Sequence, residues 1–307
     1  MIVLSDQIKL ALKEKLPIVA FESTIISHGM PYPENVRTAL LLEEIVAKEG
    51  VIPATIGIID GNIVVGMSKE QIEKFGKQEN VTKVSRRDLS FVVAQKKWGA
   101  TTVSATMMIC HMVGIEVFVT GGIGGVHFGA ENTFDISADL EEFSLSNVTV
   151  ISAGAKAILN LELTLEYLET KGVPVLTYQS DDFANFYSSS SGLKLNNRVN
   201  HPKEIAEIIT TQRNLNINGG LLVSNPIPKA HEIPIGIINK AIQTALRLCE
   251  KEKIKGKEVT PFLLKEIVKL TKGKSLFANK ELIKNNAVIG AQIAKELSNL
   301  QKNKEKI

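Results

Sequence analysis

Cysteine is scarce in this chain, which has only two among its 307 residues. Cys110 and Cys249 each lie inside an apolar stretch with helix-like spacing. We expect both to be buried, reduced thiols, with a single disulfide as the alternative, because isolated cysteines usually behave as small apolar side chains. A fold stapled by several disulfides is excluded, and this usage fits a reducing compartment.

Long hydrophobic runs are also missing. No stretch approaches the roughly 20 apolar residues of a membrane-spanning helix, so we expect no membrane partner. Residues 1–17 include the acidic Asp6 and Glu14, whereas a secretory signal needs an uninterrupted apolar run. We therefore expect a soluble protein of the cytoplasm.

The chain has little excess charge of either sign. Lys and Arg total 36 against 33 Asp and Glu, which gives a net charge of +3. This near balance argues against a nucleic-acid partner but is compatible with one small phosphorylated ligand. The hydrophobic content of 44% is typical of a globular protein with a sizeable core.

Short apolar runs alternate with longer amphipathic segments through most of the chain. This alternation predicts an α/β protein with three α/β/α layers. The turn Asp60-Gly61-Asn62 between two apolar runs predicts a hairpin and therefore a mixed central sheet. The predicted strands are Pro17–Phe21, Val51–Ile59, Val117–Thr120, Val148–Ile151, Val173–Thr177 and Leu221–Ser224. The predicted helices are Asn35–Gly50, Ser68–Gln78, Arg87–Gln95 and Ala157–Thr170.

The C-terminal part has only helical patterns, in Pro234–Glu252, Thr260–Thr271 and Ala278–Leu300. Thr260-Pro261 resembles an N-cap followed by proline at the first helical position. Because no linker or internal repeat interrupts the sequence, we expect residues 1–307 to form a single domain.

Two segments place a reactive side chain directly after a predicted strand, where α/β folds collect catalytic groups. Glu22 follows Pro17–Phe21 and can act as a general acid if it is partly buried, or else cap a helix or form a loop ion pair. Lys156 follows Val148–Ile151 and a turn of small residues. An amine in an apolar pocket can attack a carbonyl to form a Schiff base, although most such lysines extend to water.

Two further segments carry groups that can bind anions or cations. The run Thr120–His127 is glycine-rich and lets a backbone approach a phosphate, but a plain tight turn is the alternative. Asp135 and Asp139 are four residues apart, beside Ser137, and offer oxygen ligands to a hard cation. Alternatively, Asp135 caps a helix and Asp139 lies in its first turn. His111, His201 and His231 lack metal-ligand spacing.

Taken together, these segments resemble the pseudouridine-5′-phosphate glycosidase family, also known as the indigoidine synthase A family. The similarity runs through nearly the whole chain. It includes FESTIISHGMPYPEN, TGGIGGVH, TFDISADL, SAGAKAILNLELTLEYLET, LLVSNPIP, GKEVTPFLL and the ending SLFAN…KNNAVIGAQIAKEL.

The resemblance implies reversible cleavage of the C-glycosidic bond of pseudouridine 5′-phosphate to uracil and ribose 5-phosphate. It also implies an α/β/α fold, a homotrimer and one divalent metal per subunit, usually manganese (Mn2+). By matching motif, Glu22 is the implied proton donor, Lys156 the nucleophile that forms a Schiff base, and Asp135 the metal ligand. The implied substrate contacts are Lys83, Val103, His127, Ser137, Ala138, Asp139 and Asn279.

The chain departs from the family pattern in two segments. Phe128 stands where the family commonly has arginine, and Ser188–Gly192 reads Ser-Ser-Ser-Ser-Gly where Ser-Arg-Glu-Ser-Gly is usual. Losing these charges can alter a trimer contact, a lid or phosphate affinity. Because every residue assigned to the chemistry is present, we expect the chain to be active.

Two alternative functions remain. The first is a metal-dependent sugar or nucleoside kinase with the glycine loop as anion hole and Asp139 as base, although no ATP-loop lysine motif supports it. The second is a non-catalytic accessory protein of pigment biosynthesis, which has no need for a nucleophilic lysine.

Overall fold

A mixed sheet of eleven strands organises the chain in the computed structural model, which describes residues 1–254 and 256–304. The strands are β1 (Ile2–Leu4), β2 (Ile18–Phe21), β3 (Ile52–Ile59), β4 (Asn62–Val65), β5 (Thr82–Val84), β6 (Gly99–Thr101), β7 (Val117–Val119), β8 (Thr149–Ser152), β9 (Val175–Tyr178), β10 (Arg198–Val199) and β11 (Leu221–Ser224). Their order is β1-β4-β3-β2-β7-β8-β11-β9-β10, with β6 beside β3 and β5 beside β6.

Most neighbouring strands run parallel, and the exceptions lie around β3. β3 pairs antiparallel with β4 and with β6. The first pair closes through the predicted hairpin, where Ile58 faces Ile63 and Gly61 adopts a positive φ of 74°. The prediction of a mixed sheet is therefore confirmed.

Helices cover both faces of the sheet. Every residue of β2, β8, β9 and β11 is buried, as expected for parallel strands enclosed on both sides. The helices preceding the C-terminal part are α1 (Asp6–Lys13), α2 (Glu34–Lys48), α3 (Lys69–Lys77), α4 (Leu89–Ala94), α5 (Val103–Val113), α6 (Ala130–Thr133), α7 (Ala138–Leu145), α8 (Leu161–Thr170) and α9 (Pro202–Asn214). This confirms the three-layer α/β/α prediction. Helix α8 begins later than predicted, because residues 157–160 continue the preceding loop and Asn160 caps the helix.

The C-terminal part is helical, as predicted, with α10 (Ile235–Lys251), α11 (Val259–Leu270) and α12 (Lys274–Lys304). α12 lies on β7 and β8, so close that a Cβ added at Gly290 would meet Val119 Cγ2 at 2.3 Å. The prediction that Thr260 caps α11 was wrong. A 3-10 turn leads directly into the helix, so Glu258 is the N-cap and Pro261 occupies a first-turn position, where its missing N–H costs no helical bond.

Two smaller predictions also concern the fold. Cys110 and Cys249 are both buried and free, as expected. Within residues 1–254 and 256–304, no helix combines the length and apolar character needed to cross a membrane.

Candidate active site

A cavity of about 640 Å3 opens at the edge of the sheet where β2, β7 and β8 end. These strands are parallel neighbours, so the loops that follow them meet at one edge. Every side chain predicted for the site lines this cavity: Glu22, Lys83, Val103, His127, Asp135, Ser137, Ala138, Asp139, Lys156 and Asn279. The fold therefore brings together residues from the first and the last parts of the chain.

Glu22 follows β2 directly and is only 9% exposed. The hydroxyl groups of Thr24 and Thr120 each donate a hydrogen bond to one of its carboxylate oxygens. Burial raises the pKa of Glu22, against the opposing influence of the Lys156 charge and of the two hydroxyl donors. A raised pKa favours the protonated carboxyl group, which is the form that a general acid needs.

Lys156 projects into the same cavity from the loop after β8. This loop turns at Gly154, whose φ of 74° favours glycine and whose added Cβ would meet the Ala184 carbonyl oxygen at 2.2 Å. The Lys156 ammonium group is partly buried and donates to the Gly122 carbonyl at 2.9 Å. The amine is therefore held within the cavity, near enough to Glu22 for its charge to affect that carboxyl group.

The loops after β7 and β8 are joined by backbone hydrogen bonds. The Ala153 N–H donates to the Gly121 carbonyl at 2.9 Å, and the Ile123 N–H donates to the Gly154 carbonyl at 3.1 Å. The Lys156 N–H donates back to the Ile123 carbonyl at 3.0 Å. The glycine-rich run thus fixes the backbone from which Lys156 projects.

The glycines of the first loop are required by close packing rather than by their backbone angles. A Cβ at Gly122 would lie 2.6 Å from the Phe186 ring, and one at Gly124 would lie 2.2 Å from Ser137 Oγ. The Gly124 N–H donates to the Asp139 carboxylate at 2.8 Å. The anion that this N–H faces is therefore one of the chain's own side chains.

Asp139 is buried and holds two parts of the cavity wall together. One carboxylate oxygen accepts from the Ser104 N–H, in the first turn of α5, at 2.9 Å, and the other accepts from Gly124. Asp139 lies in the first turn of α7, whose N-cap is Ser137 rather than Asp135. Both oxygens of Asp139 already accept backbone hydrogen bonds, which weakens its assignment as the base of a kinase.

Asp135 lies just before α7, exposed at the cavity wall. His127 is nearby, and burial lowers the pKa of its imidazole while the Asp135 charge opposes that fall. Within residues 1–254 and 256–304, no group of three His, Cys, Asp or Glu side chains is close enough to enclose a metal. An open carboxylate nevertheless fits a hard divalent cation that takes its other ligands from water and substrate.

Lys83 reaches the cavity from β5 and is partly buried. Burial lowers the pKa of its ammonium group, and the nearby Lys156 charge lowers it further. Lys83 and Arg87 are cations on the wall of the cavity, which suits a phosphorylated ligand.

The remaining predicted contacts come from three helices. Val103 is the first residue of α5, and Ser137 and Ala138 begin α7. Asn279 belongs to α12 and lies beside the glycine loop, since its Oδ1 would be 3.3 Å from a Cβ added at Gly121.

Sequence reasoning assigned no role to His28, which also lines the cavity. It lies on a single π-helical turn, Ile25–Gly29, which Asn35 holds by donating to the Ile26 carbonyl at 2.7 Å. Burial lowers the pKa of His28, and the Lys83 charge lowers it further. The motif that contains Glu22 also contains His28. No sequence pattern indicates a π-helical turn, so the position of His28 at the cavity was not predictable.

The two departures from the family pattern both lie outside the cavity lining. Phe128 is 52% exposed. In the serine run, Ser188 is buried and donates to the Ile233 carbonyl at 2.7 Å, and the Ser189 N–H donates to Glu232 at 2.9 Å. The chain's own contacts therefore hold this run in place without the missing charges.

Comparison with known proteins identifies close relatives. A family model described as indigoidine synthase A like protein matches residues 7–296. The pseudouridine-5′-phosphate glycosidase of Petrotoga mobilis is 55% identical over 295 residues, covering 96% of each chain. That of Escherichia coli is 52% identical over 298 residues, covering 97% of this chain and 96% of the relative.

Two crystal structures resemble the whole fold. The prealnumycin C-glycosynthase AlnA in complex with ribulose 5-phosphate has a TM-score of 0.91 and 37% identity, with 99% of each chain covered. An indigoidine synthase A-like protein from Thermotoga maritima has a TM-score of 0.89 and 36% identity, with 97% of each chain covered.

Proposed function

The chain belongs to the indigoidine synthase A-like family, and from this premise we propose that it is an enzyme that reversibly cleaves the C-glycosidic bond of pseudouridine 5′-phosphate to uracil and ribose 5-phosphate. The relatives named for this activity are more than half identical over nearly their full length. The observation that carries the proposal is the presence of the Glu22 carboxyl group and the Lys156 amine in one cavity.

A C-glycosidic bond requires an unusual pair of groups. Ordinary glycosidases protonate a heteroatom leaving group and use two carboxylates. Here the leaving atom is a carbon of uracil, so the electrons of the breaking bond need an acceptor on the sugar. A covalently attached amine provides that acceptor as an iminium ion.

The proposed reaction begins when the Lys156 amine, as the free base, attacks the anomeric carbon. The new C–N bond replaces the bond to the ring oxygen, which takes up the proton that the nitrogen loses, and the sugar opens. The nitrogen lone pair then forms a C=N bond while the C–C bond to uracil breaks. The electron pair of that bond takes up a proton from Glu22 at the uracil carbon. Water hydrolyses the iminium, which releases ribose 5-phosphate, restores the amine and returns a proton to the Glu22 carboxylate.

The remaining groups of the cavity bind and orient the substrate in this proposal. Lys83 and Arg87 supply positive charge for a phosphate or for sugar hydroxyls. Asp135 would hold the divalent manganese ion, with His127 beside it. Such an ion, when bound, stabilises negative charge and orders water around the substrate. A homotrimeric assembly and a cytoplasmic location stay predictions that rest on the sequence.

The alternatives receive less support. A kinase needs a base, and both oxygens of Asp139 already accept backbone N–H groups. An accessory protein without catalysis leaves unexplained a raised pKa at Glu22 in the same cavity as a lysine amine.

The deciding experiment is to trap the covalent intermediate. The protein is incubated with pseudouridine 5′-phosphate and manganese, treated with borohydride and analysed by intact mass and peptide mapping. We expect uracil release and a reduced sugar-phosphate adduct on Lys156. Lys156→Ala is expected to abolish both, while Lys48→Ala, at an exposed ion pair with Glu44, is expected to leave both unchanged.

The other outcomes are equally informative. Uracil release without an adduct would retain the substrate but overturn the lysine mechanism. An adduct on Lys83 would move the nucleophile to that residue. Neither product nor adduct, in a folded, manganese-loaded sample, would overturn the proposed function, and ATP turnover with a nucleoside would favour the kinase.

A further inference from the structure

A buried pair of asparagine side chains connects α12 to the proton donor. Asn286 lies on the sheet-facing side of α12 and is fully buried, and Asn225, just after β11, is 2% exposed. The Asn225 side-chain amide donates to Asn286 Oδ1 at 2.9 Å. The Asn286 amide donates in turn to the Thr120 main-chain carbonyl at 2.9 Å. Two buried side-chain amides thus form a chain of hydrogen bonds that ends at the Thr120 carbonyl group.

Thr120 is the residue at which this pair meets the active site. It is 1% exposed, and its side-chain hydroxyl donates to Glu22 Oε1. Its N–H donates to the Ile151 carbonyl at 3.1 Å, so its backbone is held from the β8 side as well. Asn225 is anchored on the same strand, since its N–H donates to the Ser152 carbonyl at 2.8 Å.

The surroundings of this chain of contacts are apolar. On α12, the neighbouring Ile283, Ala287 and Gly290 face the sheet, and a polar side chain among them costs free energy unless it is fully hydrogen-bonded. A leucine at position 286 would be as apolar as these neighbours but would remove the hydrogen-bond partner of the Asn225 amide and of the Thr120 carbonyl. What the amide adds is a fixed direction for Thr120.

We propose that Asn286, supported by Asn225, is a positioning residue that acts through Thr120 to orient the Glu22 carboxyl group for proton transfer. This inference rests on the proposed function. The Thr120 carbonyl is held by Asn286 on the α12 side of the sheet, and the Thr120 hydroxyl is held against Glu22. Without the Asn286 amide, Thr120 is free to turn, and the Glu22 carboxyl group then loses one of its two hydroxyl donors.

The groups around Glu22 determine how loss of the Thr120 hydroxyl donor changes the pKa of Glu22. Lys156 favours the ionised carboxylate, Asp139 disfavours it, and Lys83 lines the same cavity. The Thr24 and Thr120 hydroxyl donors favour the ionised form. Removing the Thr120 donor therefore raises the pKa of Glu22 further. Because cleavage uses the protonated acid, the alkaline limb of its pH profile moves to higher pH.

The test compares kcat, KM and the pH profile of cleavage in the wild type and in Asn286→Leu, Asn286→Asp, Thr120→Val and Thr120→Ser. Removing a hydrogen-bond partner that orients a metal ligand typically costs about 10- to 100-fold in affinity or activity, and we take the same range for a partner that orients a catalytic acid. We expect a loss of that size in kcat for Asn286→Leu and Thr120→Val, with KM changed by no more than about twofold and the alkaline limb shifted upward. Thr120→Ser keeps the hydroxyl and is expected to retain the wild-type kcat and the wild-type position of the alkaline limb.

Asn285 offers the matched control on the same helix. Its side-chain amide donates to the Pro226 carbonyl at 3.2 Å, away from the cavity lining, so Asn285→Ala is expected to keep the wild-type profile. If Asn286→Leu fails to fold, Asn286→Asp keeps an acceptor for Asn225 and replaces the donor to Thr120 with a carboxylate oxygen, which repels the Thr120 carbonyl. The double variant Asn286→Leu/Thr120→Val is expected to be no slower than Thr120→Val, because coupled residues are not additive.

The proposal is overturned if folded Asn286→Leu or Asn286→Asp keeps the wild-type kcat and pH profile. It is also overturned if kcat falls but the alkaline limb stays where it is, since that marks a packing defect. If the wild type itself releases no uracil, the proposed function fails. Titration of a 13C-labelled Glu22 carboxyl by NMR, in the wild type and Asn286→Leu, then tests the positioning separately.

Discussion

At the residue scale, the site depends on how differently the fold treats Glu22 and Lys156. Glu22 is almost completely buried, which favours its acid form, and it accepts from two hydroxyl donors, which favour the ionised form and fix the carboxyl group in place. Lys156 is only partly buried and donates to a main-chain carbonyl. The Glu22 carboxyl group and the Lys156 amine are therefore each oriented by a hydrogen-bond partner before substrate binds.

Glu22 is expected to make stability depend on pH. Burial raises the pKa of Glu22 above its ordinary value of 4.5. Its contribution to stability is therefore fully present below about pH 4.5 and is lost as the pH rises through the folded-state value. Glu22→Gln removes the ionisable group and with it the loss of stability at higher pH. The unfolding temperature of the variant should therefore rise relative to that of the wild type as the pH is raised from about 4 to about 8.

Differential scanning calorimetry at several pH values checks this expectation. Glu73→Gln is the control, because Glu73 is exposed and forms only a surface ion pair with Lys77. A constant difference between Glu22→Gln and the wild type across the range would show that the carboxyl titrates alike in the folded and unfolded chains.

At the scale of elements, the site is built from loops that follow neighbouring strands and from the ends of helices. Asp139, in the first turn of α7, accepts from the first turn of α5 and from the glycine loop. A carboxylate at the N-terminus of a helix also compensates the helix dipole. One side chain therefore sets the relative placement of three elements around the cavity.

Asp139→Asn tests that role. The variant keeps one carbonyl acceptor but loses the charge and the second acceptor, and a buried donor is left without a partner. We expect a loss of about 1–3 kcal/mol in the free energy of unfolding. Hydrogen exchange should become faster at the Ser104 and Gly124 amides, and unchanged protection at both would contradict the assignment.

The glycine loop makes a second prediction at this scale. Gly124→Ala places a Cβ 2.2 Å from Ser137 Oγ, so overpacking should lower the free energy of unfolding by about 1–3 kcal/mol. Gly236 in α10 is the matched control, because nothing lies within 4 Å of its added Cβ. Gly236→Ala should raise stability by about 0.4–1 kcal/mol. Urea unfolding of both variants measures the difference, and equal effects would contradict the close packing.

At the scale of the whole molecule, the C-terminal helices are part of the site. α12 packs on β7, β8 and β2 and carries Asn279 at the cavity and Asn286 behind it. α11 adds Thr260, Pro261 and Leu264 to the cavity wall. A site with walls from both ends of the chain requires that those ends fold together.

This arrangement predicts one cooperative unfolding transition for residues 1–307. The helical part shares its buried surface with the sheet, so it should not melt separately. Calorimetry should give equal calorimetric and van't Hoff enthalpies per cooperative unit, after allowing for the oligomeric state. Two resolved transitions, with the helical part melting first, would contradict the prediction of a single domain.

Much of the architecture was predictable because it depends on local patterns. Apolar runs indicated β2, β3, β7, β8, β9 and β11 within about two residues, and the Asp60-Gly61 turn indicated the antiparallel pair of β3 and β4. The short strands β1, β5, β6 and β10 were not predicted. The strand-end positions of Glu22 and Lys156 placed both at one edge of the sheet. Their chemical roles were implied by the family resemblance, since an isolated carboxylate or lysine has too many ordinary uses.

Only the tertiary structure decided how these groups are held. The sequence does not show that both carboxylate oxygens of Asp139 accept hydrogen bonds from backbone N–H groups. It also does not show that a π-helical turn brings His28 to the cavity, or that the Asn286 amide donates to the Thr120 carbonyl. These contacts join residues far apart in the chain, so their geometry depends on strand order and helix packing. The sequence by itself determined which side chains are available after each strand, because the hydrophobic pattern is local. Their partners, burial and pKa values depend on long-range contacts, which only the folded chain creates.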